Sequence, residues 1–292
     1  MASPFYLAIK GKFVIVGKQP DGDSVRFIAN TPDLYEELHR NYRIKLSRDR
    51  SVQLRFEGID APEVHYGSDA QILGEQARDQ LLARMGFDNI KFSGNKVQAA
   101  DPDTVSGAIL SKAADANGRP VSYVVLGEDA EQLENGDWIR VEAGLLRKTI
   151  NFQMLTEGAA YYTVYTSTPV AHRRLLRKAA LAARQDNQGV WAKDATNEFE
   201  LVERESITAP NGELILPKLF RRSIDYLKAV DNGFRGNLKD WLIEVSEKPS
   251  RNENDRVVIR DAVEVRLSDL IKHYNSRVVF QEDILNLTFV EK

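Results

Sequence analysis

The sequence contains no cysteine among its 292 residues. Disulfide scaffolds, thiolate metal sites and cysteine nucleophiles are therefore excluded. No segment approaches the roughly 18 consecutive apolar residues of a membrane span, and Lys10 and Lys12 interrupt the apolar N-terminus before it reaches signal-peptide length. We therefore expect an intracellular protein without a membrane partner, unless a leader was trimmed from the chain.

The chain also has little net charge, with a formal value of -3. Residues 196–292 contain 15 Lys and Arg against 18 Asp and Glu, whereas residues 1–195 contain 25 of each sign. Proteins that hold nucleic acid through its phosphates usually present a basic face. The composition therefore argues against tight DNA binding by a broad surface, and it leaves room for a small cationic cleft. The four histidines show no zinc-ligand spacing.

The first 195 residues alternate between strand and helix patterns. Residues 52–57 alternate apolar and polar side chains, which is typical of a half-buried strand. Asn117-Gly118 is a strong hairpin signal because both positions tolerate positive φ. The pattern predicts strands at 5–16, 24–28, 108–111 and 121–126, an extended piece at 161–166, and helices within 30–41 and at 71–85, 151–160 and 170–184. In the last helix, Ala171, Leu175, Ala179 and Ala182 are expected to face inward.

The pattern changes after Asp194, where a charged connection begins. We predict two domains, residues 1–195 and 196–292. In the second we expect helices at 218–230, 238–245 and 267–274 and strands at 257–259 and 277–280, hence an α+β or mostly helical module. No chemical motif stands out in it.

Carboxylates follow two of the predicted strand ends. Asp21 and Asp23 lie in the segment Asp21–Ser24, and Asp60 follows the strand at 52–57. A hard divalent cation such as calcium takes its ligands from carboxylates, backbone carbonyls and water. These aspartates could therefore hold a metal ion. The alternative is that each is a turn residue that accepts local backbone hydrogen bonds.

The neighbouring residues also allow two interpretations. Arg55 could bind a phosphate through its planar fork, or it could form a weak ion pair with Glu57 on the same face of the strand. Glu63 could be a general base or cap the next segment. Arg119 could be a solvated turn residue. The tyrosines Tyr161, Tyr162 and Tyr165 could stack on a base or pack in the core, and the basic residues of the helix at 170–184 are expected to be its solvated side.

The order of these motifs along the chain resembles the staphylococcal nuclease (thermonuclease) family. The blocks are DGDSV, LRFEGIDAPE, a helix, NGR at a hairpin, NFQMLTEGAA, AHRRLLRKAALAAR and GVW, and they cover residues 10–193. The resemblance implies an α+β fold, with an OB-like five-stranded β-barrel and packed helices. It also implies a calcium-dependent nuclease that cuts DNA or RNA, in single-stranded or flexible form.

The resemblance also implies roles for individual residues. Asp23, Asp60 and the carbonyl of Ala61 would bind Ca²⁺, with Asp21 nearby. Arg55 and Arg119 would hold the phosphate and Glu63 would take the general-base position. Tyr162 and Tyr165 are similar to the tyrosines with which the family contacts phosphate and nucleotide.

Three positions depart from the family pattern. Asn117 stands where a phosphate-binding tyrosine is expected, Glu57 stands where an apolar residue is more usual, and Ala61 replaces a threonine. We consider Asn117 a candidate substrate-binding residue. Glu57 could draw Arg55 away from the substrate. Together with the near-neutral charge, Asn117 and Glu57 support a second hypothesis, in which the domain binds nucleic acid or protein without catalysis and the C-terminal module contacts a protein partner.

Overall fold

The computed structural model describes residues 4–246 and 253–291. Its strands are β1 Phe5–Val14, β2 Arg26–Ala29, β3 Val52–Gln53, β4 Arg55–Phe56, β5 Ile59–Asp60, β6 Asp88–Ser93, β7 Lys96–Asp101, β8 Thr104–Ala114, β9 Pro120–Leu126, β10 Trp138–Arg140, β11 Tyr161–Tyr162, β12 Glu198–Glu200, β13 Arg256–Ile259, β14 Val263–Arg266, β15 Ile271–Tyr274, β16 Arg277–Phe280 and β17 Leu287–Phe289. Its α-helices are α1 Gly74–Arg84, α2 Gly127–Glu131, α3 Ala143–Lys148, α4 Ile150–Thr156, α5 Val170–Gln185, α6 Pro217–Asp231 and α7 Leu238–Ser246. Short 3₁₀ helices lie at Pro32–Glu37, Asn41–Arg43, Gly189–Ala192, Arg204–Ser206, Leu267–Leu270 and Ile284–Asn286.

The main sheet is a nearly closed barrel. Its strand order is β3-β2-β1-β8-β9-β4, and β10 pairs with the start of β1. The first and last strands of this order, β3 and β4, are separated in the chain by Leu54 alone. The sheet must therefore curl until its two ends meet, which confirms the predicted OB-like α+β fold. The sheet has seven strands, since the predicted strand at 52–57 divides at Leu54 and β10 is added.

The hairpin predicted at Asn117-Gly118 joins β8 to β9. Gly118 has φ +80°, and a Cβ there would lie 2.1 Å from the carbonyl oxygen of Arg43. Glycine is therefore required both by the backbone conformation and by the close approach of a neighbouring segment. The turn is thereby fixed against the segment that precedes β3.

Two of the predicted helices, α4 and α5, pack against each other and against the barrel. In α4, the buried Asn151 accepts a hydrogen bond from Val124 N at 2.9 Å and donates to the carbonyls of Glu57 (2.9 Å) and Ser122 (3.0 Å). One amide thus ties the helix to β9 and to the residue after β4.

The buried face of α5 differs from the predicted one. Its buried residues are His172, Leu176, Ala179, Ala180 and Ala183, whereas Ala171 and Ala182 are exposed. Burial of His172 explains the rotation of this face: its ring stacks on Tyr6 with a centroid distance of 5.7 Å, and its Nε2 lies 2.8 Å from the carbonyl of Val141. A histidine whose polar atoms are satisfied can occupy a core position that the apolar pattern does not reveal.

The C-terminal segment combines helices α6 and α7 with two antiparallel three-stranded sheets, in the orders β12-β16-β15 and β14-β13-β17. The predicted helices at 218–230 and 238–245 and strands at 257–259 and 277–280 are confirmed. The predicted helix at 267–274 is wrong, because residues 267–270 form a 3₁₀ turn and 271–274 form β15, which pairs with β16. The segment is therefore an α+β structure.

Arginines of α5 bind the C-terminal segment. Arg184 makes two hydrogen bonds to Asp283, at 2.8 and 2.9 Å, and Arg177 donates to the carbonyl of Leu285 at 2.7 Å. Arg173 contacts Asp261 and Thr288. Arg173 and Arg184 are partly buried, so the prediction that the basic residues form the solvated side of the helix is wrong for these two. Arg174, Arg177 and Lys178 are exposed, as predicted.

The hydrophobic core is continuous between the barrel and the C-terminal segment. Phe199, Phe220 and Phe289 belong to the same buried cluster as the barrel residues Phe13 and Phe27. The division into domains at residue 195 stays a prediction. Within residues 4–246 and 253–291, no helix combines the length and apolar character needed to cross a bilayer.

Candidate active site

A cavity of about 1130 Å³ lies between the barrel and the C-terminal segment. It brings together most of the residues that were predicted to carry the chemistry. From the barrel it is lined by Asp21, Asp23, Arg55, Asp60, Glu63, Asn117, Arg119 and Tyr165. The C-terminal segment adds Lys218, Arg221, Arg222, Glu253, Asp255 and Glu291. Residues that are far apart in the chain thus share one polar cavity.

The two aspartate segments are in direct contact. A Cβ on Gly22 would lie 2.6 Å from the Cβ of Ala61, so the turn that carries Asp21 and Asp23 packs against the residue after Asp60. The turn is also joined to the barrel, because the carbonyl of Asp23 accepts from Phe56 N at 3.0 Å. Ala61 itself is buried. Backbone contacts therefore fix the relative positions of these carboxylates.

The carboxylates at this point share an excess of negative charge. The pKa of Asp21 and that of Asp23 are raised well above the usual range, chiefly by burial and next by the neighbouring carboxylates. Burial also raises the pKa of Glu63, opposed by Arg221 and reinforced by Asp21 and Asp60. Each shift shows that nearby positive charge does not fully compensate the ionised carboxylate. A cation is the natural complement of this group, which we call the carboxylate cluster (Asp21, Asp23, Asp60 and Glu63).

The donor chemistry of the carboxylate cluster fits a hard divalent cation, which prefers oxygen ligands. Across residues 4–246 and 253–291, however, no three or more His, Cys, Asp or Glu side chains are arranged to hold a metal ion. Two members of the cluster are already bound to another group. Arg221 donates to Asp60 and to Glu63. The donor types are thus suitable, and an arginine holds part of the cluster.

Arg221 was not predicted as a site residue. It belongs to α6, whose residues Lys218, Arg221 and Arg222 all line the cavity. Its Nη2 lies 3.1 Å from Oδ2 of Asp60, and its Nη1 donates to Oε1 of Glu63. The helical pattern at 218–230 was visible in the sequence, but nothing in that pattern connects it to the barrel.

The two predicted phosphate-binding arginines are held by a residue that the sequence analysis missed, Asp115. Arg119 donates to Oδ2 of Asp115 from Nε at 2.8 Å, and its Nη2 lies 2.7 Å from the same oxygen. Arg55 Nη1 lies 3.9 Å from it. The other oxygen of Asp115 accepts from the backbone N–H groups of Asn117 and Arg119, each at 2.9 Å. Asp115 is 3 % exposed, so it fixes both guanidinium groups from below the cavity surface.

Tyr165 completes the cationic side of the cavity. Its hydroxyl accepts from Arg55 Nη2 at 2.7 Å, and the Arg55 guanidinium lies 4.7 Å from its ring centroid. Burial by itself raises the pKa of this phenol, but Arg55 and Lys218 outweigh it and lower the pKa to about 8. The environment around Tyr165 therefore favours negative charge.

Glu57 lies apart from this site. It is 4 % exposed, its Oε1 accepts from the Tyr6 hydroxyl at 3.0 Å, and burial raises its pKa. Arg55 pairs instead with Tyr165 and Asp115. The interpretation of Arg55 and Glu57 as a same-face ion pair is therefore wrong. The physical reason is that β4 ends at Phe56, so the alternation of faces does not continue to Glu57.

Tyr162 is also separate from the cavity. It belongs to β11, where it pairs with Ile59 of β5, and it is 4 % exposed. Its side chain lines a second pocket of about 580 Å³, beside Arg173 and Arg177. Of the two predicted substrate-binding tyrosines, Tyr165 alone thus lies with the carboxylate cluster. Asn117 lines the cavity at the hairpin turn.

The fold and site together describe a barrel domain with acidic and cationic groups in one cleft, an arrangement suited to binding or cleaving phosphate esters. Residues 53–193 match the family model described as staphylococcal nuclease homologue, so this part of the chain is similar to that family. This similarity supports a nuclease or nucleic-acid-binding domain. A comparison with curated proteins found no match. Asp21 and Asp23 precede the matched residues.

Proposed function

We propose that the protein is a calcium-dependent nuclease that hydrolyses phosphodiester bonds of DNA, RNA or both. One observation carries the proposal: a single cavity is lined by Asp23, Asp60, Glu63, Arg55 and Arg119. The cavity thus combines the residue types needed for a hard cation, a general base and a phosphate. The domain family of residues 53–193 agrees with this chemistry.

The acidic side of the cavity would hold the cation. Asp23, Asp60 and the carbonyl of Ala61 are the proposed ligands, with Asp21 beside them. A calcium ion bound there would act as a Lewis acid toward a phosphoryl oxygen. The chain contributes the position of these oxygens, because the contact between Gly22 and Ala61 holds the two aspartate segments together.

The cationic side would bind the scissile phosphate. Arg55 and Arg119 are the proposed phosphate ligands. Arg119 forms an ion pair with Asp115 at 2.7 Å, and Arg55 lies 3.9 Å from the same carboxylate. Asp115 therefore limits the motion of both side chains before substrate binds. Guanidinium groups that are already positioned lose little freedom when negative charge grows on the equatorial oxygens. Tyr165 and Asn117 would contact the adjoining nucleotide.

Glu63 would act as the general base. Its side chain lines the cavity next to Asp60 and would accept the proton of a water molecule that attacks phosphorus in line with the leaving oxygen. Burial raises its pKa, which increases its affinity for that proton. Its backbone N–H donates to Gln71 Oε1 at 3.2 Å, so the loop that carries it is held in place.

The substrate would be a single strand or another flexible segment. The C-terminal segment forms one wall of the cavity through Lys218, Arg221 and Arg222. This wall makes the site a cleft rather than an open basic surface. A chain with a formal charge of -3 also favours a flexible strand over a rigid duplex, which is usually bound by a broad basic face.

A second function is supported by one specific contact. Arg221 binds both the proposed ligand Asp60 and the proposed base Glu63. If that contact is permanent, the domain would bind nucleic acid or protein without cleaving it. The two functions differ in whether calcium produces turnover.

Calcium-dependent cleavage of a fluorescently labelled single-stranded DNA tests the proposal. We expect cleavage to rise with calcium up to roughly 10 mM, allowing for a site as weak as 10⁻³ M. The Asp60→Asn variant should lose it, because a neutral amide replaces a charged ligand. Asp186→Asn, at an exposed position after α5, serves as the matched control and should keep wild-type cleavage. Equal cleavage with and without calcium, or by Asp60→Asn and wild type, would reject the calcium-dependent nuclease in favour of another function.

A further inference from the structure

The contact between Arg221 and the carboxylate cluster joins the C-terminal segment to the barrel. Arg221 Nη2 lies 3.1 Å from Oδ2 and 3.3 Å from Oδ1 of Asp60, and Nη1 lies 3.3 Å from Oδ1. Nη1 also donates to Glu63. A guanidinium group with several charge-assisted hydrogen bonds to one buried and one partly buried carboxylate is among the stronger polar contacts in proteins.

Helix α6 presents this guanidinium from a fixed position. Its next residue, Arg222, donates to the carbonyl of Glu253 at 2.8 Å and to Asp255 at 3.0 Å. One turn earlier, Lys218 lies 3.6 Å from Asp255 and 4.5 Å from the ring centroid of Phe289. The start of α6 is therefore anchored independently of Arg221.

The loop that carries Glu63 is tied to the same helix. Gln71 accepts from Glu63 N and donates to the carbonyl of Ile215 at 2.7 Å, just before α6. Tyr66 donates to Asp225 of α6 at 2.6 Å. These contacts hold the Glu63 loop against α6, so Arg221 meets Asp60 and Glu63 in a defined geometry.

Arg221 and a cation would need the same atoms. Both oxygens of Asp60 accept from Arg221, and a hard cation at the proposed site would bind one or both of them. Two positive groups cannot share these oxygens at bonding distance without strong repulsion. The Arg221 side chain is 23 % exposed at the cavity, so it can leave by rotation about its own bonds while α6 stays folded.

We propose that Arg221 is an internal counter-ion of the carboxylate cluster that a divalent cation must displace, so that the C-terminal helix α6 sets the affinity of the barrel for its cation. The inference rests on the cation site of the proposed function. It gives the C-terminal segment a role in cation binding, although no chemical motif in its sequence indicates one. The contact offsets part of the negative charge of the carboxylate cluster until a cation binds.

Calcium affinity, measured by isothermal titration calorimetry without substrate, tests this inference. We expect Arg221→Gln to bind calcium at least about tenfold more tightly than the wild type, within the usual range of coupling between competing ligands. Arg235→Gln removes the same charge from an exposed position after α6, outside the cavity, and should keep wild-type affinity. Asp23→Asn should abolish binding in the wild-type and Arg221→Gln backgrounds.

The other outcomes separate the two proposals. Equal affinity of Arg221→Gln and wild type, with binding lost in Asp23→Asn, would overturn the counter-ion role and leave the calcium site intact. An equal gain in Arg235→Gln would also overturn it, because the effect would then be general electrostatics. Absence of calcium binding in every protein, including Arg221→Gln, would overturn the calcium site and the inference with it.

A measurement on the wild type covers the case in which Arg221→Gln does not fold. The Nε–Hε NMR signal of Arg221 should shift or broaden as calcium is added, at the concentrations that titrate the calorimetric signal, because the guanidinium leaves Asp60 and Glu63. The corresponding signal of Arg222 should stay unchanged. A saturating calcium titration that leaves the Arg221 signal in place would overturn the displacement.

Discussion

Replacing Glu63 by glutamine is expected to lower the rate of single-stranded DNA cleavage by about 10²–10⁴-fold, the usual contribution of a positioned general base. The amide has nearly the shape of the carboxylate, and its oxygen can still accept from Arg221. What it cannot do is accept the proton of the attacking water. The initial rate at saturating DNA and calcium measures the effect, and the thermal unfolding midpoint should stay close to that of the wild type.

The control for this change is Glu134→Gln, at an exposed position away from the cavity. It should cleave DNA at the wild-type rate. Should Glu63→Gln also cleave at the wild-type rate with its fold intact, Glu63 is not the base, and the water must be activated by another group.

Removing the Arg119 side chain is expected to produce the second largest loss. Arg119→Ala should lower kcat by about 10²–10³-fold, because a positioned donor that stabilises charge in the transition state is usually worth this much. Arg119→Lys keeps the charge but loses the planar fork, so it should recover only part of the rate. Steady-state kinetics on the same substrate distinguish a loss in kcat from a rise in KM.

Arg140 provides the matched comparison, since it lies on β10 with its side chain 61 % exposed and pairs with Glu142. Arg140→Ala should retain wild-type kcat and KM. A rise in KM with kcat unchanged in Arg119→Ala would contradict the transition-state role and reduce Arg119 to a residue for ground-state binding.

The barrel and several of the residues that line its cavity could be predicted because their signals are local. The alternation at 52–57 and the turn residues Asn117-Gly118 specify strands and a hairpin through short-range sterics. The motif that includes Asp60 and Glu63 lies within a few residues of the strand that presents it. The same reasoning could have found Asp115, because an aspartate two residues before Asn117 is well placed to accept from the turn backbone.

Arg221 could not be predicted by local reasoning. It lies 161 residues from Asp60 and 158 from Glu63, and the helix that carries it has an ordinary amphipathic pattern. The arginines of α5 show the same limitation: their spacing fits a solvated face, and their acidic partners are about 90 to 100 residues away. Ion pairs of this kind depend on how the two segments pack, which periodicity does not encode.

The misassigned helix at 267–274 has a different cause. Leu267, Leu270, Ile271 and Tyr274 repeat at the i, i+3, i+4 and i+7 positions of an amphipathic helix. In the structure the first two face the core from a 3₁₀ turn, and Ile271 begins a strand that pairs with β16. A short apolar pattern cannot distinguish these cases, and the available sheet partner decides.

A crystal structure with calcium and a nucleotide 3′,5′-bisphosphate would show whether one cavity binds both cation and phosphate. We expect calcium on Asp23, Asp60 and the carbonyl of Ala61, and a phosphate on Arg55 and Arg119. We also expect Arg221 to have left Asp60. A bisphosphate bound outside the cavity, with Arg221 still paired to Asp60 and Glu63 at saturating calcium, would show that the cavity is not the active site we propose.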